Sequence, residues 1–207
     1  MAIGIAPLLG FNITKNFDFP FFSQNIAQHW RKWHISLTSW MTEYVFNPLS
    51  FIFRDWGKLG VILAIFINFV LIGIWHGANW TYVVFGALNG LYFIPLILRG
   101  TLNKPIKKDV NPSLFSRLKA CTNTILTFTL VALTGVIFNA KNMDHASHYL
   151  AKIFSLSLLS LPEVRPRTLL TLIFIFMIIE WLGKNNDFAI EKTFSNKSIV
   201  LRWVFYF

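Results

Sequence analysis

Charge is scarce in this sequence. Of its 207 residues only 14% are Asp, Glu, Lys or Arg, and just 9 are acidic. Residues 59–98 contain no charged residue at all, and neither do residues 120–140. Such a balance excludes an ordinary soluble domain of this size, whose surface needs charge. Cysteine is almost missing too. Cys121 stands alone in an apolar run, which excludes an internal disulfide and leaves the redox compartment open. There is no Gly-rich phosphate loop, nucleophile elbow or Cys/His cluster. Met1 is not followed by a charged segment, a short apolar core and a small-residue cleavage site, so nothing marks a removable signal peptide.

What the chain has instead is apolar and aromatic mass: 55% hydrophobic residues, with 22 Phe and 8 Trp. A bilayer crossing takes about 20 apolar residues, and both charge-free stretches are long enough to supply one or more. The formal net charge of +10 could point to nucleic acid. Here, however, the basic residues sit in short loops beside apolar segments, as in membrane proteins, and no polar domain is present to read bases. The partner implied is membrane lipid, not nucleic acid.

Read along its length, the chain starts apolar and passes into a polar loop ending at Pro20. Residues 23–46 interleave Trp30, Trp33, Trp40 and Tyr44 with His29, Arg31, Lys32, His34 and Glu43. This predicts one amphipathic interfacial helix, N-capped by Ser23 and ended by Asn47-Pro48. Residues 59–98 predict a helical hairpin, with spans over 60–75 and 80–98 and His76 at its turn beside Gly77. Residues 99–119 carry six basic residues and one acid, which predicts a cytoplasmic loop. A third span is expected over 120–140, an outer, partly amphipathic segment over 141–167, and a short fourth span over 168–183 bearing Glu180. An inner loop over 184–198 and a further apolar segment from Ile199 complete the reading. The fold class expected is all-α, a polytopic transmembrane helical bundle forming one integral-membrane unit over 1–207.

His76 is the one ionisable group in a forty-residue stretch free of charge, and an intramembrane ionisable residue is a functional candidate. Imidazole can act as a general base near neutral pH. The alternative is an interfacial histidine held between Trp75 and Trp80. His34, if helical, would share a face with Trp30 and Thr38, either for chemistry or to hold the headgroup region. No His or carboxylate stands at metal-ligand spacing near His76, so no metal is expected. Asn68 and Asn89 lie within spans, where an amide usually bonds a neighbouring helix. Glu180 reads as a snorkelling side chain, and His145 with His148 as a loop pair.

Four motifs stand in order: Asn16-Phe17-Asp18-Phe19-Pro20, Trp30-Arg31-Lys32-Trp33-His34-Ile35-Ser36-Leu37, Trp75-His76-Gly77-Ala78-Asn79-Trp80-Thr81 and Gly86-Ala87-Leu88-Asn89-Gly90. Together they resemble the membrane-bound O-acyltransferase family, in particular its bacterial branch of alginate O-acetyltransferases and teichoic acid D-alanyl transfer proteins. The specific part covers residues 1 to 98. Asn89 departs from the pattern, since the family often has His there, and so does Met41-Thr42-Glu43.

The resemblance implies that His76 is catalytic and His34 a second functional residue, with Asn79, Trp75, Trp33 and Ser36 as candidate substrate-binding neighbours. It implies a bundle enclosing a tunnel, with His76 at an inner constriction. An acyl group from a thioester donor, acetyl-CoA or an acyl carrier, would pass to an acceptor outside, with no bound cofactor. The acceptor expected is an exported polysaccharide, reached directly or through a periplasmic acetyltransferase partner, and the location expected is the bacterial inner membrane. D-alanyl transfer to teichoic acid is the enzymatic alternative; a non-catalytic membrane subunit or transporter is the other. Family members are considerably longer, so the chain is expected to be a C-terminal fragment and inactive alone.

Overall fold

The computed structural model describes residues 2–104, 111–156, 160, 166–190 and 199. The described residues are helical or irregular, with no strand. Two compact units divide the chain at Ser160. The first holds α1 (Ala2–Ile5), α2 (Ile26–Lys32), α3 (Ile35–Met41), α4 (Asn47–Ile52), α5 (Lys58–Trp75), α6 (Trp80–Leu91), α7 (Ile94–Leu98), α8 (Leu114–Asn139) and α9 (Met143–Ile153). The second contains α10 (Arg167–Gly183).

The amphipathic segment is not one helix. Asn25, rather than Ser23, caps α2 by accepting from the Gln28 N–H at 2.8 Å. The helix then stops at Trp33, which is extended, and His34, which is left-handed with φ 47°. The expected break at Asn47-Pro48 does not occur. A π-turn over Thr42–Phe46 joins α3 to α4, and Pro48 falls in the first turn of α4. A proline ring there would clash with a carbonyl of a regular preceding turn; the wider π-turn gives it room.

The hairpin expected over residues 59–98 is present, and its two arms pack at very short range. A Cβ added to Gly73 would fall on the Tyr82 carbonyl, one added to Gly86 on the Phe69 carbonyl, and one added to Gly90 would lie 3.0 Å from Phe66 Cα. Gly86 and Gly90 stand four residues apart on one face of α6. This is the small-xxx-small pattern by which helices approach in lipid, where dispersion rather than water release drives association. The second arm is interrupted after Leu91, because Pro95 has no N–H for the ladder and its ring opposes the Leu91 carbonyl.

α2 docks on the hairpin through Trp30. The buried indole donates from Nε1 to Asn89 Oδ1 at 3.1 Å, and Asn89 Nδ2 donates to the Phe85 carbonyl at 2.8 Å. Asn89 thus bonds a neighbouring helix, as its place in a span predicts. Asn68 does not fit that expectation: its buried Oδ1 has no partner among the described residues.

α8 starts at Leu114, capped by Ser113, so Arg117 and Lys119 ride on its first turns instead of a loop; residues 105–110 of the expected loop lie outside the described residues. Amphipathic α9 folds back onto α6 and α8 through Ala146 and Leu150. Three described helical segments, Lys58–Trp75, Trp80–Leu98 and Leu114–Asn139, are long and apolar enough to cross a bilayer. Their exposed large side chains, such as Leu114, Phe115 and Ile125 on α8, would be an aggregation hazard in water and are ordinary against lipid. The protein is a multi-pass membrane protein.

In the second unit, α10 has 17 residues, at the lower limit for a crossing. The expected inner loop is described only as far as Ile190, and the final apolar segment only at Ile199.

Candidate active site

His34 is placed by a junction that the first two motifs build between them. On one side runs Asn16-Phe17-Asp18; on the other, Lys32-Trp33-His34-Ile35. The Ile35 N–H donates to the Asn16 carbonyl at 2.9 Å, and the Asp18 N–H to the Lys32 carbonyl at 2.9 Å. Asn16 Oδ1 also accepts from the Ser36 N–H at 2.9 Å and the Ser36 hydroxyl at 2.6 Å. Asp18 pairs with Lys15 at 2.8 Å and Lys32 at 3.3 Å. Burial alone would raise its carboxyl, but the two ammonium groups hold it below its ordinary value.

The rings around the junction form a second layer. Phe17 meets Trp33 edge-on at 4.9 Å and lies 6.3 Å from the His34 ring. His29, buried, stacks on Trp33 at 5.7 Å, and its Nδ1 donates to the Pro20 carbonyl at 3.2 Å. Desolvation pushes the His29 pKa below 6.5 although that hydrogen bond favours the proton. Within hydrogen-bond reach the His34 imidazole is bare, for its buried Nδ1 has no partner among the described residues.

His76 closes α5, its N–H donating to the Gly73 carbonyl at 3.0 Å. Gly77 follows at φ 147°, a conformation a side chain would strain, and a Cβ there would stand 3.0 Å from the Tyr82 ring. Asn79 then caps α6, accepting from the Thr81 N–H at 3.1 Å and donating to the Lys141 carbonyl at 2.9 Å. The Trp-His-Gly-Ala-Asn-Trp motif is therefore a tight turn that presents one imidazole. That ring packs edge-on against Phe138 of α8 at 4.8 Å, with Tyr82 at 6.1 Å and Phe85 at 6.4 Å.

The two motif histidines converge. Trp75 lies between them, 6.4 Å from the His34 ring and 4.8 Å from the His76 ring. The two imidazoles are near enough to interact electrostatically, and the His76 pKa lies below 6.5, first through desolvation and then through His34. The connector carrying His76 is outside both flanking spans. A cavity of about 580 Å³ lined by Trp30, Thr38, Asn68 and Ile72, among others, begins one helical turn away: Thr38 follows His34 by four residues, and Ile72 precedes His76 by four.

His76 does not sit at an inner constriction among the described residues. It is exposed at the end of the hairpin, because α6 and α8 cover only one side of its ring. Of its candidate neighbours, Trp75 stays open at 61% exposure, whereas Trp33 is packed by aromatic rings and Ser36 and Asn79 spend their polar groups on backbone and Asn16. The predicted shared face of His34 and Trp30 is lost with the helix break, while Thr38 keeps it and donates to the His34 carbonyl. His145 lies on α9, with its ring against Tyr149. No cluster of three potential metal ligands occurs among the described residues.

Two neighbours of the site were not legible from sequence. Asn16 was visible only as part of a motif, and its reach to Ser36 crosses twenty positions. Phe138 carries no local signal, since nothing in a long apolar helix says which phenylalanine meets a distant turn.

The sequence profile of the membrane-bound O-acyltransferase family matches residues 1–107, which include all four motifs and both histidines. The chain is similar to a probable alginate O-acetylase of Pseudomonas putida, at 32% identity over 88% of this chain and 36% of that protein. It is similar to a peptidoglycan O-acetyltransferase of Helicobacter pylori, at 30% identity over 78% of this chain and 29% of that protein. A teichoic acid D-alanyltransferase of Streptococcus thermophilus matches at 29% identity, over 67% of this chain and 36% of its own length. The chain thus spans about a third of the length of these curated relatives. With more than half of its residues matched by the family profile, it belongs to the membrane-bound O-acyltransferase family.

Proposed function

We propose that this protein serves acetyl transfer from a thioester donor, acetyl-CoA or an acyl carrier, to hydroxyls of an exported polysaccharide, in the bacterial inner membrane. The observation that carries this reading is the convergence of His34 and His76 about Trp75. In the reaction, His76 takes the proton of the acceptor hydroxyl as its oxygen forms a bond to the thioester carbonyl. The carbon–sulfur bond breaks, and the thiolate receives a proton in return. A neutral imidazole is required for the first step, and the depressed His76 pKa favours that form. His34 assists or positions.

The six basic residues within 99–119 support a direction for the chain. Taken as cytoplasmic, this segment puts Lys58 and Leu98 inside and His76 outside. The cavity with Asn68 on its wall then lies on the donor side of the histidines, and the acceptor meets His76 from outside, alone or through a periplasmic acetyltransferase partner.

The test uses membranes from a strain expressing the protein from its native locus. Radiolabelled acetyl thioester should label the extracellular polymer, and a D-alanyl carrier protein should not. Label arriving only from the D-alanyl donor, which the match to a teichoic acid D-alanyltransferase makes the relevant rival, would replace acetyl transfer by D-alanyl transfer.

A further inference from the structure

We infer that Asn16 is a positioning residue for His34: it caps α3 in the histidine's place and holds the left-handed backbone that turns the imidazole toward Trp75 and His76. The inference rests on the acyltransferase reading above for its kinetic consequence, though not for its geometry.

His34 occupies the N-cap position of α3, where Ser, Thr, Asn or Asp normally offers a side-chain oxygen to the first turn. Its own side chain makes no capping bond. Asn16 does so from another segment, with Oδ1 accepting from the N–H of Ser36, the second residue of the helix, and from its hydroxyl. The imidazole is thereby released from helix duty. Its buried Nδ1 is left without a partner among the described residues, which is how a group kept for an incoming molecule would stand.

The hydrogen-bond count explains the turn of the chain. Asn16 O pairs with Ile35 N and Asp18 N with Lys32 O, so two residues, Trp33 and His34, stand opposite the single residue Phe17. The unmatched residue makes the chain turn between the two bonds, and that turn sets the direction of the His34 side chain. The Phe17 ring touches both of the residues it opposes. A non-glycine residue at φ 47° persists only where its surroundings over-determine it, and Asn16 supplies three of the bonds that do so: one to Ile35 and two to Ser36.

The experiment compares Asn16→Ala, Asn16→Asp and Asn25→Ala in the protein expressed from its native locus. Asn25 caps α2 with a like bond and makes no hydrogen bond to His34 or Ser36 among the described residues, so it reports the cost of losing a cap alone. Asn16→Ala should lower kcat about 100-fold, the scale of a small misplacement of a reacting group, with KM for the acetyl thioester unchanged within about twofold. Asn16→Asp keeps both acceptor bonds and should restore most of the loss; Asn25→Ala should keep kcat.

A second readout needs no turnover. Diethyl pyrocarbonate modification, followed peptide by peptide by mass spectrometry, should change rate at His34 in Asn16→Ala but not in Asn16→Asp, while His145 stays constant. If the unaltered protein transfers no acetyl group, the functional reading fails and this arm alone decides the inference. Should Asn16→Ala not reach the membrane, Ser36→Ala removes the hydroxyl bond only and should shift His34 reactivity in the same sense. Equal losses in Asn16→Ala and Asn25→Ala, no rescue by Asn16→Asp, or unchanged His34 reactivity would overturn the inference.

Discussion

Trp30 and Asn89, fifty-nine residues apart, meet through one hydrogen bond of 3.1 Å in the interior of the first unit. Both are buried, Asn89 completely, and the bond fastens the segment carrying His34 to the hairpin carrying His76. Asn89→Ala would strand the indole N–H in an apolar site, at a cost of about 1–3 kcal/mol. The 207-residue chain in detergent micelles should therefore melt at a lower temperature in this variant. Asn89→His offers a ring nitrogen as acceptor and should recover much of the loss. Equal destabilisation by both substitutions would show that side-chain volume, not the acceptor, matters here.

How far the sequence reveals this arrangement depends on how local the cause is. The hairpin was legible because forty residues without charge are long enough for two crossings, and because Gly77 marks its turn by its own chemistry; the cap that Asn79 adds to that turn shows only in the structure. The helix break at His34 was not. Trp30 to Thr38 contains no Gly or Pro, and what breaks the helix is hydrogen bonding from Asn16 and Asp18, a partner that local periodicity cannot see. The reverse error occurred at Pro48, where a π-turn absorbs a residue that ordinarily ends a helix.

Asn68 tests the cavity. Its unpartnered Oδ1 is a buried acceptor on the cavity wall, a cost to the chain unless something donates to it. Asn68→Leu should raise the melting temperature of the chain in micelles, since it removes that cost at similar volume. In the protein expressed from its native locus it should also raise KM for the thioester donor by about tenfold, the equivalent of one hydrogen bond. An unchanged KM would take the donor out of this cavity.

Orientation can be read by labelling. With Cys121, which is exposed, replaced by Ala, a cysteine at Lys104 should be shielded from an impermeant maleimide in intact cells and one at Asn142 should react. The basic residues around Lys104 are the physical cause, through their retention on the cytoplasmic side. Reaction at Lys104 and protection at Asn142 would invert the protein, and with it the sides assigned to donor and acceptor.

Substitution of the histidines separates chemistry from anchoring. His76→Ala should abolish polymer acetylation while leaving membrane insertion intact, and His76→Gln should be nearly as inactive, because an amide cannot accept a proton near neutral pH. His34→Ala should be less severe if that residue positions. His145→Ala, on α9 and outside the four motifs, should keep near-normal product. Acetyl content of the polymer at equal protein level is the measurement. Near-wild-type product from His76→Ala would return that residue to an interfacial role between Trp75 and Trp80.

The pH profile ties the two histidines together. The His76 pKa is depressed below 6.5, chiefly by desolvation and secondly by His34. A base acts in its neutral form, and a lower pKa keeps it neutral to lower pH, so the acid limb of kcat/KM should fall below the ordinary histidine value and the rate should be level at neutrality. His34→Gln removes the second cause and leaves the first. The His76 pKa then moves back up toward 6.5, and the acid limb must shift to higher pH in the same direction. Residual activity of His34→Gln, followed between about pH 5 and 8, is enough to see it. A limb that stayed in place would show that the histidines are not electrostatically coupled; one that moved to lower pH would mean that His34 stabilises the charged form of His76, and its role would have to be reassigned.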